Sequence, residues 1–141
     1  MNFETDSWWD ALLAAGFDTG APSLVASTGV TQYITKEATA ATLRQLASLA
    51  AGSIVAMTFM LPLDLVDEQD RMGYEFAING ARNSGTPFIS LYSPDEMVAL
   101  ARSCGLGDVR YVRQSELARY FAGRADGLRP STGEPLIVAK T

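Results

Sequence analysis

Histidine is missing from all 141 residues. That absence excludes Ser-His-Asp and Cys-His catalysis, histidine-based zinc sites and the commonest general base at neutral pH. A Ser/Thr-based hydrolase is left as a weak third reading, since no Gly-x-Ser-x-Gly elbow occurs either. Cysteine occurs once, as Cys104, so no intramolecular disulfide framework can form and a reducing compartment is expected. No apolar run is long enough to span a bilayer, and no cleavable signal pattern follows Met1. A soluble, cytoplasmic protein with no membrane partner is the expectation. Positive charge is also scarce: 11 Lys and Arg stand against 16 Asp and Glu, for a net charge of −5. Nucleic acid is therefore a poor partner.

What is present reads as one ordinary α/β domain, 48% hydrophobic and 19% charged, long enough to bury a sizeable core. The charge is uneven. Residues 1–100 hold 4 Lys/Arg against 12 Asp/Glu, whereas residues 101–141 hold 7 against 4. Arg110, Arg113, Arg119, Arg124 and Arg129 make up most of the basic excess. This is either a solvated surface with a few ion pairs or an arginine-lined wall for an anionic substrate.

Residues 22–35 hold the chain's most informative stretch. Leu24-Val25-Ala26 does not alternate, as expected of a strand covered on both faces. It breaks at a Ser27-Thr28-Gly29 corner, and Thr35 opens the next helix. In an open α/β sheet such a corner at a strand's carboxyl end is where ligands sit. Upstream, Ser7-Trp8-Trp9-Asp10 has capping-box form and precedes a helix that Gly16 stops. Downstream, Leu43, Leu46, Ala47 and Ala50 make a core-facing stripe ended by Ala51-Gly52. Residues 53–60 form a second continuous apolar strand, and two strands joined by a helix make a right-handed βαβ unit.

After Pro62, the spacing of Leu65, Gln69, Met72 and Phe76 lines one face of a further helix. Asp64, Asp67, Glu68 and Asp70 load its first turns, which suits the helix dipole and calls for no metal. Residues 80–87 read as a loop and 88–92 as extended or irregular. Ser93-Pro94-Asp95-Glu96 starts the next helix with an N-cap, a proline at the first position and a carboxylate at the third. Met97, Leu100, Ala101 and Cys104 mark its buried face, which makes Cys104 a small core residue and not a nucleophile. Gly105-Leu106-Gly107 follows a helix and precedes a strand, the reverse of the order a dinucleotide loop requires. Residues 108–113 read as a short strand, Ser115 as the cap of a short helix, and 135–139 as a last strand. With no helix-length connection after Gly123, that last strand should run antiparallel to its neighbours.

Five segments in order resemble a known family: Asn2-Phe3-Glu4; Trp9-Asp10-Ala11-Leu12 running to Asp18; residues 29–35; Ser93-Pro94-Asp95-Glu96-Met97; and residues 120–129. The chain resembles the distal half of class I S-adenosylmethionine-dependent methyltransferases, in the leucine carboxyl methyltransferase-like group of bacterial O-methyltransferases. The resemblance implies a Rossmann-like methyltransferase sheet carrying strands four to seven, the last inserted antiparallel beside residues 53–60. Residues 1–141 would then be a single partial domain without the amino-terminal half that holds the glycine-rich cofactor loop.

The same resemblance implies S-adenosyl-L-methionine as cofactor and a small-molecule carboxylate or hydroxyl as methyl acceptor. Cofactor contacts map to Asn2 and Phe3 at the adenine and to Ser27, Thr28 and Gly29 at the methionine portion. Some members carry a carboxylate where this chain has Thr28. Acceptor contacts map to Tyr33, Arg124 and Arg129; no catalytic residue is assigned. Tyr33 is either a helix-start aromatic or a cation–π partner of the sulfonium. Arg124 is either one half of a structural pair with Asp126 or, like Arg129, a bidentate carboxylate ligand. Methyl transfer is an in-line displacement that depends on alignment and water exclusion, so it needs no histidine. The other reading is a non-catalytic remnant or interaction subunit. Without its usual flanking strands the 24–27 strand leaves an apolar edge, which a second copy or a partner chain would complete.

Overall fold

The computed structural model describes residues 6–141; Asn2 and Phe3 lie outside the described residues. Helix α1 (Trp8–Ala14) is capped by Ser7, whose Oγ accepts from the Asp10 N–H at 3.1 Å, and it ends where Gly16 takes φ +89°. Strand β1 (Leu24–Ser27) leads through a single 3₁₀ turn (Thr31–Tyr33) to α2 (Lys36–Ala47). Thr35 caps α2 as expected, accepting from the Ala38 N–H at 3.1 Å. The helix stops at Ala47, a turn earlier than the Ala51-Gly52 signal suggests.

Strand β2 (Ile54–Thr58) and a 3₁₀ turn (Leu63–Leu65) precede α3 (Glu68–Asn83) and α4 (Pro94–Ser103). Strand β3 (Asp108–Val112), a short helix α5 (Gln114–Leu117) and a loop then lead to β4 (Leu136–Lys140). Ser115 lies inside α5 and does not cap it. The Glu116 carboxylate instead accepts from the Arg113 N–H at 2.9 Å, which satisfies one of the open donors at that helix start.

The four strands are ordered β1-β2-β4-β3. β1 and β2 are parallel, and β4 is antiparallel to both of its neighbours. β1, β2 and β3 therefore share one direction, and the last strand is inserted against it, as the short final connection predicts. The core forms between this sheet and the helices: Leu43 and Leu46 of α2, Val55 and Met57 of β2, Met97 and Ala101 of α4, and Ile137 and Ala139 of β4 are all buried. Cys104 is buried too, its Sγ donating to the Ala40 carbonyl at 3.5 Å, in keeping with a packing role.

Three further expectations change. β1 is not covered on both faces: it is the sheet's edge, Leu24 is 75% exposed, and no β1 residue is buried. An unbroken apolar run is how a strand covered on both faces reads; among the described residues β1 pairs with β2 alone. On α3, Met72 and Phe76 are 83% and 80% exposed, while Tyr74 is the buried residue. The helix also runs on through Gly80 to Asn83, where the sequence suggests a loop.

Candidate functional site

The carboxyl ends of β1 and β2 converge on one polar constellation. The chain leaves β1 through Gly29 at φ +67°, a conformation that L side chains rarely adopt. That turn aims the Gly29 N–H at Thr58 Oγ1, the last residue of β2, at 2.9 Å. Thr31 Oγ1 donates to the Thr58 carbonyl at 3.2 Å and is itself buried. The Thr58 hydroxyl in turn donates to Glu134 Oε1 at 2.6 Å, a short charge-assisted bond. The other oxygen of Glu134, Oε2, has no hydrogen-bond donor among the described residues. The corner is fixed from behind by Gln32, whose carbonyl accepts from the Ile89 N–H at 2.8 Å, and by Ser90 Oγ, which donates to the Ile34 carbonyl at 2.6 Å.

Three hollows are lined by residues of this part of the fold or of the β1 edge. Ser27 and Thr28 line one of about 300 Å³ with Trp8, Val25, Val30 and Thr42. It continues, through Trp8, Val25, Ala26 and Leu46, into an apolar groove of about 540 Å³ along the β1 edge. Glu134 lines a separate hollow of about 480 Å³ with Met60, Asp70, Met72, Tyr74 and Gly133. The Tyr74 hydroxyl donates to the Leu61 carbonyl. Burial, reinforced by the nearby Glu134 charge, pushes its pKa up to about 12, so it remains a neutral donor.

The residues suggested by sequence are only partly brought together. Ser27, Thr28 and Gly29 share the corner. Tyr33 lies edge-on to Phe88 at 5.3 Å and lines a separate hollow with Gly85, Pro87 and Ile89. Arg124 is ion-paired with Asp126, its Nε donating at 3.0 Å. Arg129 is held by Asp70, whose carboxylate also accepts from the Thr132 N–H and hydroxyl at 2.8 Å each. Arg110 pairs with Glu116 at 2.9 Å. Arg110, Arg124 and Arg129 are thus each ion-paired, and neither Arg124 nor Arg129 lines these hollows. Glu134 is the group that sequence reasoning passes over. Its only local signal is a carboxylate just before a strand.

Among the described residues, no group of three or more His, Cys, Asp or Glu could hold a metal ion, and no helix is long and apolar enough to cross a membrane.

The model of the leucine carboxyl methyltransferase family matches residues 1–47. No curated protein matches the chain at a significant level. Solved structures do. A DUF574-family protein from Streptomyces avermitilis aligns with TM-score 0.60 at 16% identity, covering 93% of this chain and 51% of that one. Human N-acetylserotonin methyltransferase in complex with SAM aligns with TM-score 0.54 at 14% identity, over 100% of this chain and 32% of its own. PigF with SAH gives 0.53 at 18% identity, over 94% and 38%. The chain thus spans between about a third and a half of the length of these structures. It resembles class I S-adenosylmethionine-dependent methyltransferases of leucine carboxyl methyltransferase-like type, and its sheet is that of the Rossmann-like methyltransferase fold.

Proposed function

We propose that these residues form the distal half of an S-adenosylmethionine-dependent methyltransferase, acting on the oxygen of a small-molecule carboxylate or hydroxyl. The observation that carries the reading is the sheet order β1-β2-β4-β3 with β4 antiparallel, joined to the family match over residues 1–47. Ser27, Thr28 and Gly29 would hold the methionine portion of the donor. They offer two hydroxyls and a backbone turn with open space beside it, since a Cβ on Gly29 would meet only the Gln32 amide at 3.9 Å. Asn2 and Phe3 would meet the adenine. When bound, the donor supplies an electrophilic methyl group on a sulfonium. The chain's own part is to fix the corner through the Gly29–Thr58 bond and keep the approach dry with Trp8 and Val30.

The glycine-rich half of the donor site would come from outside these 141 residues, in a preceding segment or a partner chain set against β1. The exposed Leu24 and the apolar groove beside it support that edge as the place of attachment. The single buried Cys104 is in keeping with a cytoplasmic setting.

Thermal unfolding with and without S-adenosylmethionine tests the donor reading. A ligand at about 100 times its dissociation constant stabilises the native state by roughly 2.7 kcal/mol. A shift of that order, reduced by Thr28→Trp in the corner, is the expected result. No shift at millimolar ligand overturns binding by this chain alone.

A further inference from the structure

A buried polar atom beside the corner has nothing to bond. Gln32 is 5% exposed, yet its side-chain Oε1 has no hydrogen-bond partner among the described residues. The backbone of the same residue is fixed. Its carbonyl accepts from the Ile89 N–H at 2.8 Å and the Ser90 N–H at 3.4 Å, within the Thr31–Tyr33 turn. Buried polar atoms are nearly always paired, and one left open costs stability. The amide also borders the corner. Outside the chain neighbours of Gly29, it is the only group that a Cβ there would meet within 4 Å, with Nε2 at 3.9 Å. It therefore faces the open side of the turn to which the methionine portion of the donor is assigned.

We infer that Gln32 binds the amino-acid end of the donor, its Oε1 accepting a hydrogen bond from the α-ammonium. This rests on the methyltransferase reading above and names the recognition of one part of that ligand. An ammonium that leaves water needs acceptors in exchange, and residues 27–32 hold no carboxylate to supply them. Thr31 Oγ1 is committed to the Thr58 carbonyl. The Gln32 carbonyl oxygen is the acceptor that the fold leaves unused. The two ends of an amide are alike in size, so a half-turn of the terminal torsion brings Oε1 to the place beside Gly29 that Nε2 holds. The bond formed there is charge-assisted, and it fills the vacancy that costs the empty protein stability.

The test follows backbone amide NMR shifts of the full chain titrated with L-methionine and with methylthiobutanoate, the same molecule without its α-ammonium. Methionine is expected to move Gly29, Thr31 and Gln32 and to bind roughly tenfold more tightly, the scale of one hydrogen bond to a charged group. Gln32→Met and Gln32→Leu keep the bulk and remove the open acceptor. Both are expected to abolish that preference while raising the unfolding midpoint of the ligand-free protein. Equal binding of the two probes, no movement of these residues, or an unchanged preference in Gln32→Met would each overturn the assignment. A lowered midpoint in both variants would overturn it too, because the amide would then be serving the fold. The donor reading fails separately. Methionine preference without stabilisation by S-adenosylmethionine upholds the Gln32 site and counts against the donor. Equal stabilisation of the parent and Gln32→Met by S-adenosylmethionine upholds the donor and overturns Gln32.

Discussion

Gly133 carries no side chain because Tyr74 occupies the place where one would go. A Cβ built there would overlap Tyr74 Cδ2 and lie 2.8 Å from Cε2, and the Tyr74 ring is buried and tethered to Leu61. Gly133→Ala is therefore expected to destabilise by about 1–3 kcal/mol through overpacking. Urea denaturation would measure it, and a neutral result would mean that the ring moves freely. Asp70 makes the second residue-scale case. The Arg129 guanidinium holds its carboxyl below the ordinary 3.8, with Thr132 adding to the effect and burial opposing it. A carboxyl lowered on folding contributes stability that is present above its unfolded value and is lost as pH falls through its folded value. Asp70→Asn should accordingly cost about 1–3 kcal/mol at neutral pH, the usual range for breaking hydrogen bonds to a charged group. The gap from the parent protein should close as the solution is acidified below the ordinary carboxylate range. A gap independent of pH would show that the pair does not couple to folding.

At the scale of elements, the start of α4 is the most legible feature, whereas the Ser115 cap expected for α5 does not form. Ser93 and Glu96 satisfy one another's backbone N–H groups, at 3.2 and 2.7 Å, and Glu96 is held below its ordinary value chiefly by the Ser93 N–H. Both side chains lie within three residues of their targets, so sequence alone could show the bonds. Ser93→Ala should cost about 1 kcal/mol, read as a lowered unfolding midpoint with Met97 and Ala101 loosened from the core. No change would mean that packing alone fixes the start of α4. Helix α3 was legible in type but not in facing. Leu65, Gln69, Met72 and Phe76 keep a helical period, yet the core takes Tyr74, with Ile78 half-buried, and Met72 turns to the hollow beside Glu134. A period shows that a face is apolar; it does not say whether that face meets the core or a binding hollow.

For the whole molecule, the antiparallel direction of β4 follows from the short final connection, whereas its place beside β2 is what the family resemblance implies. The site was less legible because its bonds are long-range: Thr58 meets Glu134 across 76 residues, and Arg129 meets Asp70 across 59. The edge strand joins these scales. β1 is as apolar as an interior strand, yet Leu24 is 75% exposed and the groove beside it is lined by Trp8, Trp9, Phe17 and Leu46. Unpaired backbone next to uncovered apolar surface favours strand addition. The protein is thus expected to self-associate with rising concentration, or to take up a strand-bearing partner, through this edge. Leu24→Lys places a charge where there is already solvent, so it should leave stability within about 0.5 kcal/mol of the parent. It should shift sedimentation velocity profiles towards monomer. If the parent sediments as a clean monomer at every concentration, self-pairing is excluded and the edge is left to a partner. If Leu24→Lys associates as strongly as the parent, association lies elsewhere on the surface, with the exposed Met72 and Phe76 of α3 the next face to test.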